Sequence, residues 1–282
     1  MTTERVTIDA AGRCDERLDP AQSATRLTAD ETLSRFADPA LVVEVKQDRS
    51  PVTEADRAAE EILRRELLGR FPEDAFQGEE TGATAGTSGY EWVVDPIDGT
   101  KSFIRGVPLY ATLVGCRHAG AGGLGGIAIP ALDEIVYASV GAGAWHVRGT
   151  AAPVAARVSR RDALDGALVC SSDFTSFSRW QGGATAGTAA RTKLEAAAGV
   201  VRTWGDGYGY LLVATGRADV MIDPLMNRWD AAAVETVVRE AGGRFTDWSG
   251  AERIDAGDGL ATNGILHASV LGLLPASAGS DR

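Results

Sequence analysis

The chain has 282 residues, 44% apolar and 24% charged, with a formal net charge of −11 and a pI of about 4.8. That size allows one large domain or two fused ones with a sizeable core. The acidic balance argues against a nucleic-acid binder that relies on phosphate contacts, and no run of about 18 apolar residues is present to span a membrane.

The first 20 residues are polar and acidic and unlike a signal peptide; they are expected to form a loose leader. Residues 53–70 carry Ala55, Ala59, Ile62, Leu63 and Leu67 on one helical face, with Thr53 as N-cap and Asp56 as the acid of a capping box. Residues 81–90, TGATAGTSGY, have the composition of an irregular, mobile loop. From 91 to 148 short β-branched runs alternate with turn residues and predict a largely antiparallel sheet covered by a helix layer. Beyond about 155, strands near 167–172, 200–204, 218–223, 243–248 and 259–263 alternate with helices near 188–198, 208–215, 231–241 and 264–274, an α/β rhythm. The expected divisions are a leader (1–20), an α+β half (21–155), an α/β half (156–275) and a tail (276–282). The three cysteines, Cys14, Cys116 and Cys170, are odd in number and suit neither a zinc site nor a disulfide framework, which fits a reducing cytoplasm.

The chemistry concentrates in WVVDPIDGTKSF, residues 92–103. Asp95 ends a strand and Asp98 follows a Pro-Ile turn. Two close carboxylates repel each other and raise each other's pKa unless a cation lies between them. Gly99 and Thr100 open a helix whose N–H groups favour an anion. Oxygen ligands beside an anion cradle suit a phosphate bridged to Mg2+. An Asp-rich turn would have the same spacing, so the other acids matter. Glu79 and Glu80 follow a strand, and Asp230 opens a long apolar helix where it also suits an N-cap. Five or six acids with no basic cluster to balance them demand cations. The motifs of other phosphatase designs, Asp-x-Asp and Cys-x5-Arg, are absent, as is the Gly-x4-Gly-Lys-Ser/Thr phosphate loop.

GEE at 78–80, DPIDGT at 95–100 and RWDAAAVETVVREAGG at 228–243, with SPVTEAD upstream, resemble the inositol monophosphatase superfamily of Mg2+-dependent, Li+-sensitive phosphatases over about residues 25–274. The resemblance implies a layered α-β-α-β-α sandwich of the inositol monophosphatase/fructose-1,6-bisphosphatase type, a homodimer, and two or three Mg2+ per site. It implies that Glu79, Asp95 and the Ile97 carbonyl hold one metal, and Asp95, Asp98 and Asp230 a second. Glu79 and Thr100 would activate water, the N–H groups of Gly99 and Thr100 would hold phosphate, and Asp56 would stand behind them or touch a weak third metal. Glu80 matches the family's second glutamate, with its role left open.

Within that superfamily, DGTKSF, TWGDGYGYLLVATG and MIDPLMNRWD resemble the histidinol-phosphatase branch. Lys101, Asp206 and Asp223 then become substrate residues, since acids attract the ammonium and imidazole of histidinol phosphate. Inositol 1-phosphate and 3′-phosphoadenosine 5′-phosphate remain alternative esters, and a non-catalytic phosphometabolite sensor a remote one.

Overall fold

The computed structural model describes residues 16–46 and 50–275. Its helices are α1 (Leu18–Arg35), α2 (Glu54–Arg70), α3 (Thr100–Phe103), α4 (Ala184–Ala197), α5 (Asp206–Ala214), α6 (Arg228–Glu240) and α7 (His267–Leu271). The first strands are β1 (Val43–Val45), β2 (Pro51–Thr53), β3 (Ala75–Gly78), β4 (Gly82–Thr84), β5 (Tyr90–Asp98), β6 (Ala111–His118), β7 (Ala121–Ile129), β8 (Glu134–Ser139), β9 (Gly143–Arg148) and β10 (Val154–Ala155). Then come β11 (Leu168–Cys170), β12 (Val200–Arg202), β13 (Val220–Asp223), β14 (Arg244–Thr246) and β15 (Gly259–Thr262).

Strands β3 to β10 form an eight-stranded sheet in the order β10-β9-β8-β7-β6-β5-β3-β4, and β11 to β15 a five-stranded sheet in the order β12-β11-β13-β15-β14. Strands β1 and β2 make a separate ribbon. Helices α1 and α2 pack on the outer face of the large sheet, where Leu18, Leu63 and Leu67 meet Trp92, Val94 and Val114. Between the sheets lie α5 and α6, whose Leu211, Val234 and Val237 join Val93, Leu113, Met221 and Phe245. Helices α4 and α7 cover the far face through Leu194 and Val270 against Val169, Val220 and Leu260. The order is helix, sheet, helix, sheet, helix, the expected sandwich. Among the described residues no helix is long and apolar enough to cross a membrane.

Helix α6 can lie close on the large sheet because both surfaces are small. Ala232 and Ala233 face Gly115 and Gly125, where an added Cβ would run into the α6 backbone. Close approach brings the start of α6, and Asp230 with it, to the end of β5.

Several elements depart from the sequence reading. Residues 1–15 of the expected leader, and the tail from 276, lie outside the described residues; residues 18–20 already belong to α1, and Arg17 pairs with the buried Asp74 at 2.9 Å. Helix α1 itself was unforeseen. Its buried face is built from Ala21, Ala24, Thr25, Thr28 and Thr32, and the Thr25 and Thr28 hydroxyls donate to carbonyls one turn back. Threonines that satisfy themselves in this way can be buried without an apolar stripe. Within 81–90, Gly82–Thr84 is not irregular; it pairs antiparallel with β3. The large sheet also contains one parallel pair, β3 with β5.

Candidate active site

Three apart is the wrong spacing for two side chains of a regular strand to share a face, since successive residues alternate. The structure resolves this with a bulge. Asp95 pairs with Leu113 and Asp98 with Ala111, so three steps along β5 match two along β6. The extra residue restores parity, and a bulge re-aims the side chain that follows it. Trp92 and Val94 face the outer helices, whereas Val93, Leu113 and Ala111 belong to the central layer. Asp95 and Asp98 therefore both face α6, and carboxylate oxygens of Asp95, Asp98 and Asp230 lie within 4.8 Å of one another.

After the bulge the chain turns sharply at Gly99, which has φ 86° and ψ 42°. That left-handed conformation favours glycine. A Cβ there would also come within 2.6 Å of an Asp206 carboxylate oxygen. The turn delivers Thr100 to the start of α3. The Thr100 hydroxyl donates to the Ile97 carbonyl at 3.2 Å or to Asp56 Oδ1 at 3.3 Å. Asp56, 1% exposed, also accepts the Thr53 N–H at 2.8 Å and hydroxyl at 2.6 Å. It thus completes the capping box of α2 and stands behind Thr100.

These residues line a cavity of about 500 Å³. Its lining includes Glu79, Asp95, Ile97, Asp98 and Asp230, the turn residues Gly99 and Thr100, and Lys101, Ser172, Asp173, Thr203 and Asp206. Asp230 is the third residue of α6; its Oδ2 accepts the Asn227 N–H at 2.7 Å, so Asn227 and not Asp230 is the N-cap. Arg228, two residues earlier, grips both Glu91 oxygens on β5, at 2.7 and 2.6 Å, and also reaches Gln77 on β3.

Burial and mutual repulsion dominate the electrostatics of the aspartates. Burial, then repulsion from Glu79, Asp98 and Asp230, pushes Asp95 well above the usual carboxylate range. Asp98 is raised similarly by burial and by Asp206 and Asp230, against the Gly207 N–H it accepts. Asp230 is pushed up to about 7, as burial and the charges of Glu79, Asp206 and Asp223 outweigh the hydrogen bond from Asn227. Carboxylates packed this way fit a cation site, because an ion between them offsets both burial and repulsion and lets them ionise together at neutral pH.

Lys46 was missed. Its Nζ donates to Glu79 Oε1 at 2.7 Å and to Glu80 Oε1 at 2.6 Å. The acids are therefore not without a basic partner, though Lys46 reaches only the two glutamates and not the three aspartates. Burial works against its charge, yet the two carboxylates raise its pKa. Glu80, raised by burial to about 7, is absent from the cavity lining. The signal available in the sequence was the rarity of lysine, of which the chain has three: Lys46, Lys101 and Lys193.

The substrate-side residues divide. Lys101 and Asp206 line the cavity. Asp206 has φ 52°, strained for a residue other than glycine, and is anchored by its N–H to the Ser172 hydroxyl at 2.8 Å. Burial and the charge of Asp223 push it up to about 6. Asp223 does not line the cavity. It is 5% exposed and saturated by the Ser172 N–H at 2.8 Å, the Tyr210 hydroxyl at 3.0 Å and the hydroxyls of Ser171 and Ser172. Its expected contact with the leaving group is corrected: it holds Ser172, which in turn holds Asp206. Asp173, also in the cavity wall, was not anticipated.

A sequence model of the inositol monophosphatase family matches residues 14–277. The chain is 39% identical over 243 residues to a histidinol-phosphatase of Chlorobaculum parvum, covering 86% of this chain and 88% of that one. It is 41% identical over 245 residues to a histidinol-phosphatase of Mycobacterium tuberculosis, covering 86% and 92%. In structure it is similar to the extragenic suppressor protein suhB of Bartonella henselae, with a TM-score of 0.83, 26% identity, and coverage of 94% and 100%.

Proposed function

This chain belongs to the inositol monophosphatase family and is a phosphoric monoester hydrolase, and from that premise we propose that it cleaves L-histidinol phosphate to L-histidinol and phosphate with Mg2+. The carrying observation is the convergence of Asp95, Asp98 and Asp230 beside the turn at Gly99 and Thr100. In this reading the three aspartates hold one ion, and Asp95, Glu79 and the Ile97 carbonyl hold another. Bound Mg2+ supplies positive charge for the phosphoryl oxygens and acidifies water. Thr100, backed by Asp56, orients the attacking water, and Glu79 takes its proton. The N–H groups of Gly99 and Thr100 bind the phosphate. For Glu79 to act as the base, its carboxylate would have to be released by Lys46.

In this reading the leaving group lies against Lys101 and Asp206, which also line the cavity. Asp206 attracts the ammonium of histidinol, and Lys101 flanks the phosphate end. A neutral polyol gains at most a hydrogen bond from Asp206 and no attraction between charges, and an ester with a second phosphate is repelled by it. The relatives named histidinol-phosphatase support the same ester. The reading also includes inhibition by Li+, a homodimer and a cytoplasmic place in histidine biosynthesis. An inositol-1-monophosphatase of Mesorhizobium japonicum, 32% identical over 233 residues, favours inositol 1-phosphate as the second reading.

The test is phosphate release from histidinol phosphate, inositol 1-phosphate, fructose 1,6-bisphosphate and 3′-phosphoadenosine 5′-phosphate, with Mg2+ or EDTA. Preference for any ester but the first refutes the substrate. Undiminished turnover in EDTA refutes the metal. No turnover of any ester by Mg2+-loaded protein would favour a sensor.

A further inference from the structure

Helix α2 carries three polar residues four apart, Asp56, Glu60 and Arg64, which fall near one line along the helix. Asp56 reaches Thr100. The other two have no part in the chemistry above. Glu60 is 0% exposed, an unusual place for a carboxylate. Its Oε2 accepts the Glu80 N–H at 2.7 Å, and its Oε1 accepts the Thr81 N–H at 2.8 Å and the Thr81 hydroxyl. Among the described residues, all three hydrogen bonds come from the turn after β3. Arg64, one helical turn further, donates to the hydroxyls of Thr81 and Thr84 and to the Gly82 carbonyl. The sequence makes room for the arrangement at Gly78, where any Cβ would collide with the Glu60 carboxyl group.

Resting on the metal-dependent reading above, we propose that Glu60 is a positioning residue: its carboxylate clamps the 79–81 turn so that Glu79 is presented to Asp95 before any ion arrives. The N–H vectors of residues 80 and 81 fix the backbone torsions on either side of Glu80. Those torsions set where the Glu79 side chain leaves the turn. Glu79 sits beyond the end of a short edge-side strand, next to β4, itself only three residues long. The pairing of Gly78 with Gly82 closes the turn and Lys46 reaches its two glutamate side chains, but it is Glu60 that binds the N–H groups of Glu80 and Thr81. Glu60 thus acts on the metal site through Glu79, at one remove, as partners of metal-binding carboxylates generally do.

The experiment compares the full chain with Glu60→Gln and, as an independent route to the same displacement, Gly78→Ala. Mg2+ binding is measured by calorimetry without substrate, and amide hydrogen exchange is followed at Glu80 and Thr81. Glu60→Gln keeps the volume but loses one acceptor. Loss of a supporting partner of this kind weakens metal affinity by about 10–100-fold. We expect such a weakening, with faster exchange confined to the turn and a KM for the ester, at saturating Mg2+, within about threefold of wild type. Gly78→Ala should do the same. Unchanged Mg2+ affinity in both folded variants, or faster exchange spread evenly through the protein, overturns the proposal. Failure of the wild type to bind Mg2+ at all would overturn the metal-dependent reading and the clamp with it, whereas turnover of another ester leaves the clamp standing.

Discussion

Replacing Asp230 by asparagine should make the metal-free protein more stable while weakening its stabilisation by Mg2+. Asp230 is pushed up to about 7, from a usual value near 3.8, mainly by burial and then by Glu79, Asp206 and Asp223. A raised carboxylate holds its proton in the folded state over a range where the unfolded chain has released it. Its share of stability is complete below about pH 4 and is lost as pH rises through about 7. Three pH units at 1.36 kcal/mol each set an upper bound of about 4 kcal/mol, and roughly 2–4 kcal/mol is the working expectation. Asparagine removes the charge but keeps an oxygen to accept the Asn227 N–H, so the start of α6 survives. In EDTA at pH 8 the variant should melt about 4–8 °C above the wild type, at roughly 2 °C per kcal/mol for a chain of this size. Near pH 4.5 the two should nearly coincide. With Mg2+ the order reverses, because only the wild type binds the ion at full strength. Thermal unfolding followed by circular dichroism at both pH values, with EDTA or Mg2+, is sufficient. A variant no more stable than wild type in EDTA at pH 8 would show that the carboxylates do not repel as described.

Asp98→Asn should reduce turnover by at least about a hundredfold while the metal-free protein melts no lower than wild type, since a ligand and a buried, repelled charge are lost but no apolar contact; steady-state kinetics and a melt in EDTA read both. Asp206→Asn keeps a residue tolerant of left-handed backbone but removes the charge. A hydrogen bond to a charged group is worth about 1.5–3 kcal/mol, so KM for histidinol phosphate should rise roughly 10–100-fold while KM for inositol 1-phosphate stays within about threefold. His267, buried between the Thr246 and Thr262 hydroxyls at 3.0 Å each, is held down to about 4, chiefly by burial and then by Arg244. The unfolded chain takes up its proton near pH 6.5 and the folded one only near 4, so stability is lost as pH falls across that window. The difference between wild type and His267→Gln in urea unfolding should change by roughly 1–3 kcal/mol between pH 7 and pH 4.5; a constant difference would contradict the assignment.

Much of the sandwich was legible because its strands are β-branched runs bounded by glycine and its larger helices α2 and α6 carry apolar stripes. Helix α1 was not, since threonines that bond to their own helix hide a buried face from any hydropathy pattern. The convergence of Asp95 and Asp98 was anticipated but its cause was not. A bulge depends on the register of a partner strand, which no local pattern contains. Lys46 was hidden for a similar reason: it follows a three-residue ribbon strand whose side chains are all exposed. Asp223 was misplaced because an acid next to a strand end reads the same whether it faces a cavity or supports a serine behind it.

The grip of Arg228 on Glu91 bears on how the cavity moves. Glu91 and Asp95 lie on the same strand, and Arg228 and Asp230 on the same helix. The first turn of the helix is thus fastened to the strand by the ion pair, beside the place where Asp95, Asp98 and Asp230 converge. A charge-assisted, forked pair is not readily broken by thermal agitation. Any movement that widens the cavity at the carboxylates therefore has to stretch this ion pair, which takes no part in the chemistry.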